Sequence, residues 1–478
     1  MNFINKKIIF IIISILSFIL IISSLLIFFN FSSFFSFLLI ISSFGTAFFL
    51  IISVWYFLIE KNENSLTKES DNHPSVAVVC TFSGESFEFL KKTIDAMGKI
   101  DYINKKLYLL DDSEDEILKQ KIKFLCKSKN IIYITRDGRE GFKSGNLNNF
   151  LFNYCKEEFL LIFDKDDCDL IDSNIIKESL PFFKDKKVAY VQTKKMTNKG
   201  SLFENSIRET NLLFYNLIQP INNLTDSALF GGSLALMEVK ILKKLGGFPN
   251  YLIEDIAYSF KAILNGYKGK YINKNYVLSN KIESYSEFQK QQFRYNFSNT
   301  DLLLKEYIPN FFKIPFNLQY KFLIHFFGLH FLSLSQLFSI ILLIFFMFYI
   351  PNSIILNLSL FFLVFLFPLT ILLFSKEYNN SYKIGILAYL INFSLVFTRI
   401  TALLKALFGL KPVSYGVTAI GKNKLNIKKI IKGSFLELIF FFVLLIPILF
   451  NLNILYSFLI IWNALLFLTT PLFLYLFG

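Results

Sequence analysis

Charge is what this chain has least of for its size: 18% of its 478 residues are Asp, Glu, Lys or Arg, against 54% hydrophobic. That balance excludes a wholly soluble protein, and the length excludes a single ordinary domain. Cysteine is scarce as well. Cys80, Cys126, Cys155 and Cys168 are the only four, and their spacings match neither a zinc site nor a disulfide framework, so they read as reduced core thiols. His325 and His330 stand five apart, whereas helical neighbours are three or four apart, which argues against a metal pair. The formal charge of +14 reads as basic residues held at a cytoplasmic membrane face, and no nucleic-acid partner is expected.

The charge that exists is unevenly placed. Segments 8–29 and 34–58 carry none, while 60–321 is rich in Lys, Asp and Glu, the pattern of a soluble insert between hydrophobic ends. The first run is long enough to cross a bilayer core of about 30 Å. A second follows at once with no A-x-A-like cleavage site, so the N-terminus reads as a transmembrane hairpin and not a signal peptide. The turns after 29, at 351–358 and at 451–453 lack charge, whereas Lys6, Lys7, Lys61, Lys376 and Lys383 mark the other ends, which places the uncharged turns outside.

A span over 384–408 would carry Lys411, Lys422, Lys424, Lys428, Lys429 and Lys432 outside, against that rule. The expectation is instead a helix lying in the cytoplasmic interface, with Asn392, Arg399 and Lys405 reaching water. Segment 311–332, which mixes Lys and His with Phe and Leu, reads the same way. The expected layout is a hairpin at 1–60, a cytoplasmic domain at 61–310, an interfacial region at 311–333, a hairpin at 334–375, an interfacial helix and loop at 376–433, and a hairpin at 434–478. This gives about six spans in a cell membrane with both termini inside.

Within the insert, segments 75–80, 106–110, 131–135, 159–163 and 188–192 read as strands, alternating with helices near 87–97 and 145–154. The expected fold class is α/β, a mostly parallel sheet covered on both sides, with ligands beyond the carboxyl ends of the strands. Acidic clusters fall at those ends. Asp111-Asp112-Ser113 also suits a turn or helix cap. Asp164-Lys165-Asp166-Asp167 is more specific, because carboxylates at alternate positions can hold Mg²⁺ or Mn²⁺ against a diphosphate.

Further motifs follow in order: Lys143-Ser144-Gly145-Asn146-Leu147-Asn148, Gln192-Thr193, Phe230-Gly231-Gly232-Ser233, Leu245-Gly246-Gly247-Phe248, Ile253-Glu254-Asp255 and Gln291-Gln292-Phe293-Arg294-Tyr295. The set, flanked by apolar helices, resembles the processive family 2 glycosyltransferases, such as cellulose and hyaluronan synthases. The resemblance implies a GT-A-type, Rossmann-like domain and a nucleotide-sugar donor held at Thr81, Glu85, Asp112, Lys143, Asp164 and Asp166, the last two with the metal.

It further implies a general base at Asp255 and acceptor or diphosphate contacts at Gln291, Gln292, Arg294, Tyr295 and Glu254. The acceptor pocket would be lined by Phe230, Gly231, Gly232 and Ser233, and a gating loop would include Val417, Thr418 and Lys422. The implied partners are a UDP-sugar, with UDP-glucose and a β-glucan-type product expected, a growing glycan and membrane lipids; a capsule or exopolysaccharide is the implied product class. Departures from the family pattern are Ile253 for Thr, Tyr295 for Trp, Asp167 for His, and Phe82-Ser83-Gly84 before Glu85. Single transfer to a ceramide- or diacylglycerol-type lipid is the rival reading, and a catalytically silent transporter or scaffold the third.

Overall fold

The computed structural model describes residues 73–84, 86–348, 372, 375, 381–410, 427–446 and 454–477. The expected hairpin at 1–60, most of that at 334–375, Glu85, and Val417, Thr418 and Lys422 lie outside the described residues.

Strand β1 (Val76–Phe82) is apolar at consecutive positions, which suits a strand buried on both faces. Val76, Val78 and Cys80 pack with Leu90, Ile94 and Met97 of α1 (Phe87–Gly98). Ala77 and Val79 pack on the other face with Leu147, Phe150 and Leu151 of α3 (Phe142–Asn153). Between them, α2 (Glu116–Ser128) starts where the Asp115 carboxylate accepts from the Ile117 and Leu118 amides. The other strands are β2 (Lys105–Asp111), β3 (Ile132–Thr135), β4 (Phe159–Asp164), β5 (Asp167–Leu170), β6 (Val188–Thr197), β7 (Ala235–Glu238) and β8 (Lys268–Ser279).

The sheet order is β3-β2-β1-β4-β7-β6-β8-β5. Its first four strands are parallel, as the alternating pattern suggests. The rest is mixed. β7 runs antiparallel between β4 and β6, and β5 antiparallel to β8. β7 is only four residues long, too short to announce itself by periodicity, yet it brings the 230–234 loop to the end of β4.

Helix α4 (Leu202–Leu213), opened by a Ser201/Glu204 capping box, lies between β6 and β7, α5 (Glu254–Leu264) between β7 and β8, and α6 (Tyr285–Leu302) follows the last strand. The apolar helices follow: α7 (Phe316–Phe348), α8 (Tyr382–Ser394), α9 (Val396–Leu407), α10 (Phe435–Leu445), α11 (Ile454–Phe467) and α12 (Thr469–Phe477). Three stretches among the described residues, Phe316–Phe338, Tyr382–Leu407 and Ser457–Phe477, are long and apolar enough to cross a membrane. Helix α7 runs on through the boundary expected at 333, because nothing between 316 and 348 breaks a helix.

The domain and the helices share cores. Tyr285 and Phe288 of α6 pack with Ile391, Leu395, Phe473 and Leu474, and the Phe260 ring of α5 meets Phe322 of α7 edge-on at 4.9 Å. Arg399, expected to reach water, is instead 1% exposed. The helix breaks at Leu395, which leaves carbonyls of the last α8 turn without in-helix partners. Arg399 serves that break, its Nη2 donating to Asn392 Oδ1 at 2.9 Å and its Nη1 to the Asn392 carbonyl at 3.4 Å.

Candidate active site

Parallel strands β1, β2 and β4 end together, which sets Thr81 beside Asp164 and Leu110 in register. The next residues carry the acidic clusters to one edge. Asp112 is buried and held from both oxygens by Arg136, whose Nε donates to Oδ1 at 2.8 Å and Nη2 to Oδ2 at 2.7 Å. A two-point guanidinium pair fixes a carboxylate's plane as well as its position. Beside it, the Ser113 hydroxyl is buried with no hydrogen-bond partner among the described residues, a polar atom that a ligand would satisfy.

The second cluster centres on Asp164. Lys143, on the first turn of α3, places Nζ 2.5 Å from Asp164 Oδ1, 2.8 Å from the Gly232 carbonyl and 3.5 Å from Glu254 Oε1. Lys195 of β6 places Nζ 3.0 Å from Asp164 Oδ2, 2.8 Å from Ser233 Oγ and 3.2 Å from Asp167 Oδ1. Burial would raise the Asp164 carboxyl, but the two ammoniums overcome it and hold it well below the usual range. Asp166 has no such partner: burial, with Asp167 and Asp164 adding to it against the pull of Lys195, pushes it up to about 6. Among the described residues its carboxylate makes no ion pair, and no group of three or more His, Cys, Asp or Glu is arranged to hold a metal. A hard divalent cation there would take one or two carboxylates and draw its other oxygens from phosphate and water.

Asp255 arrives from a third direction, on the first turn of α5. Its Oδ1 accepts from the Ile256 amide at 2.8 Å. Burial first, then the neighbouring Glu254, pushes its carboxyl up to about 7, although Lys143 pulls the other way. Gly232 is the floor beneath it. At φ +88°, a Cβ there would sit 3.0 Å from Asp255 Oδ2 and 3.7 Å from Lys143 Nζ, so glycine answers both the backbone and the space. The loop is held by buried Gln192, whose Oε1 accepts from the Gly231 amide at 2.8 Å and whose Nε2 donates to the Ser233 carbonyl at 3.0 Å. Ser259 Oγ ties it to α5, accepting from the Phe230 amide and donating to the Asp255 carbonyl.

Of the residues expected from sequence, Lys143, Asp164, Gly232, Ser233, Glu254 and Asp255 meet within hydrogen-bond or contact distance. Tyr295 feels the charges of Asp255, Lys195 and Asp164, and Arg294 lies over its ring, 5.5 Å from the centroid. Gln292 is buried in α6 and Gln291 half-buried. Phe230 is fully buried among Tyr190, Phe248 and Tyr258, a core residue that supports the loop from below. Asn148 joins two motifs structurally by exchanging hydrogen bonds of 2.8 Å with the Phe248 backbone.

Lys195, Arg136, Tyr215 and Ser259 were not anticipated. The strand carrying Lys195 is irregular on both sides of Lys194, so simple alternation does not assign its face. Tyr215 lies in a π-helical turn, Phe214–Ile218, and its hydroxyl would stand 2.9 Å from a Cβ at Gly231.

Residues 73–298 match the family described as "Glycosyltransferase like family 2". In fold, the chain is similar to a mannosyltransferase, PcManGT from Pyrobaculum calidifontis, solved with GDP-Man and Mn²⁺: TM-score 0.55, 15% identity, covering 78% of this chain and 99% of that one. S. aureus TarS aligns with a TM-score of 0.36, 16% identity, over 66% of this chain and 55% of that one. Glucosyl-3-phosphoglycerate synthase from Mycobacterium tuberculosis, solved with Mn²⁺, UDP and glucosyl-3-phosphoglycerate, aligns with a TM-score of 0.29, 12% identity, over 43% of this chain and 72% of that one. Residues 73–298 thus match a glycosyltransferase family 2 model and take a mixed α/β fold similar to that of the mannosyltransferase.

Proposed function

We propose that the glycosyltransferase family 2 domain of residues 73–298 works at a membrane surface, taking a sugar from a nucleotide donor and adding it with inversion to a growing polysaccharide. The observation that carries this reading is the convergence of Asp255, Lys143 and Asp164 around Gly232 at the carboxyl ends of parallel strands. In this reading the nucleoside lies along Thr81, Asp112 and Ser113, and the diphosphate reaches Lys143 and Lys195. Mg²⁺ or Mn²⁺ at Asp166, with Asp164, would supply screening of the charge that develops on the leaving diphosphate. The P. calidifontis mannosyltransferase, with its GDP-Man and Mn²⁺, supports the metal and adds GDP-mannose to the donors worth trying.

The acceptor hydroxyl is a poor nucleophile until a base removes its proton during attack. Asp255 is suited to that step, since a carboxyl pushed up to about 7 by burial is a stronger base than an exposed one. The new bond forms from the acceptor oxygen to the anomeric carbon as the bond from that carbon to the phosphate oxygen breaks. The proton passes to Asp255 and the electron pair leaves with the nucleoside diphosphate. Tyr295, beside the charged cluster, offers a ring face for the acceptor sugar, and UDP-glucose is the proposed donor for a β-glucan-type chain.

The test uses full-length protein in detergent with Mg²⁺ or Mn²⁺ and labelled UDP-glucose, other UDP-sugars and GDP-mannose. Label in high-molecular-weight, glycosidase-sensitive material is the expected outcome. Label confined to extractable lipid would replace the polymer reading with single transfer, and no incorporation from any donor would defeat both.

A further inference from the structure

Asp164, which the donor and metal would need in that reading, pairs with an ammonium on each carboxylate oxygen. Lys143 takes its Oδ1 and Lys195 its Oδ2. The Lys195 ammonium donates to Asp164 and Ser233, and Asp167 faces it as an ion pair at 3.2 Å. A divalent ion approaching Asp164 would meet an ammonium on either oxygen, and like charges at such range repel strongly in a partly buried crevice. Among the described residues Asp166 makes no ion pair, and one carboxylate is a weak site for a hard cation.

We propose that Lys195 is a positioning residue that makes metal binding depend on the nucleotide: it occupies Asp164 until a diphosphate draws its ammonium away. The idea rests on the nucleotide-sugar reading above. Phosphate oxygens compete for an ammonium as well as a carboxylate does, and lysine's four-carbon stem lets its head shift without moving the backbone. Asp167 is the pivot for that shift. It is fully buried and fixed by the Asp164 amide at 2.8 Å and by the Ser279 hydroxyl, so Lys195 keeps one charge partner while it exchanges the other. This gives a physical reason for an aspartate at 167, where the resembled family carries histidine: a buried carboxylate can retain an ammonium and a histidine cannot. Lys194, next in sequence, makes no ion pair with these carboxylates among the described residues; its side chain is half-buried near Arg208.

The experiment measures free Mn²⁺ by its electron paramagnetic resonance signal during titration of the full-length protein in detergent, with and without UDP or GDP. Unmodified protein should bind Mn²⁺ weakly alone and more than about tenfold tighter with the nucleotide it uses. Lys195→Met should tighten nucleotide-free binding about tenfold and shrink the nucleotide's effect, while Lys195→Arg, which keeps the charge, should stay weak. Lys194→Met separates local blocking from general electrostatics, because it removes the same charge from the same strand and should change nothing. Lys143→Met, which frees the other oxygen, serves if Lys195→Met does not fold, and should also tighten nucleotide-free binding.

The inference is overturned if the Asp164-freeing variants bind nucleotide-free Mn²⁺ no tighter than the unmodified protein, or if Lys194→Met tightens it equally. Absence of any nucleotide binding would defeat the glycosyltransferase reading instead, since the nucleotide-free comparison judges the lysine block by itself.

Discussion

The carboxyl edge of the sheet and the break between α8 and α9 both bury charge, and they do it differently. At the carboxyl edge of the sheet, ammoniums face carboxylates: Lys143 and Lys195 against Asp164, Asp167 and Glu254. At the break between α8 and α9, a single guanidinium donates to the neutral groups of Asn392. The first arrangement has partners to spare, and among the described residues Asp166 and Asp255 make no ion pair and are pushed up by burial. It is chemically unfinished, which is what a site awaiting a charged ligand requires. The second satisfies a structural need created by the helix break. Clustered charge thus marks the chemistry here, and isolated buried charge marks the scaffold.

The largest test of that division is Asp255→Asn. It should lower the transfer rate roughly 10³-fold while leaving nucleotide binding and thermal stability nearly unchanged, as measured by initial rates and a melting curve. Its counterpart, Asn392→Leu, should do the reverse. Removing a side-chain acceptor of a buried guanidinium costs about 2 kcal/mol. Thermal unfolding in detergent should show that loss while the rate at low temperature stays close to that of the unmodified protein. If Asn392→Leu abolished turnover without loss of stability, the helix break would belong to the chemistry.

A smaller effect follows from pH. The base acts only when ionised, so a carboxyl pushed up to about 7 makes turnover fall as pH drops below that value and level off above it. A pH–rate profile flat from 5 to 8, roughly the span over which a carboxyl so raised would ionise, would remove Asp255 from the role. The smallest expected change is that of Arg136→Lys. Lysine keeps the charge beside Asp112 but loses the two-point hold, so the donor KM should rise several-fold with kcat little altered.

Much of this was readable in advance. The five strands of the alternating region are where their apolar runs place them, and the acidic ends of β2 and β4 point to the ligand edge. Asp164, Lys143 and Asp255 converge although the last is far along the chain, because their motifs name them without requiring the topology. Lys195 escaped for the opposite reason. Its partners are set by the insertion of antiparallel β7 between β4 and β6, a pairing that a four-residue strand does not advertise. Arg136 sits in a loop and gains meaning only from the β2–β3 pairing that brings it to Asp112. Arg399 was assigned to water because a charge in an apolar run ordinarily seeks it, and a helix break cannot be seen in a stretch with no proline or glycine near it.

Helix α7 has one more consequence. Its 33 residues make an unbroken rod about 50 Å long. Near its start, Phe322 and Phe326 wedge against Phe260, which is carried on the same short helix as Asp255. Asp255, the base in the proposed reaction, is therefore strutted against the apolar half of the molecule and does not float above it on a tether. Its depth relative to that half is a built-in dimension, like the stop on a gauge. An acceptor must bring its reactive hydroxyl to that depth by its own length and pose, so the reach of the acceptor becomes a selected property alongside its chemistry.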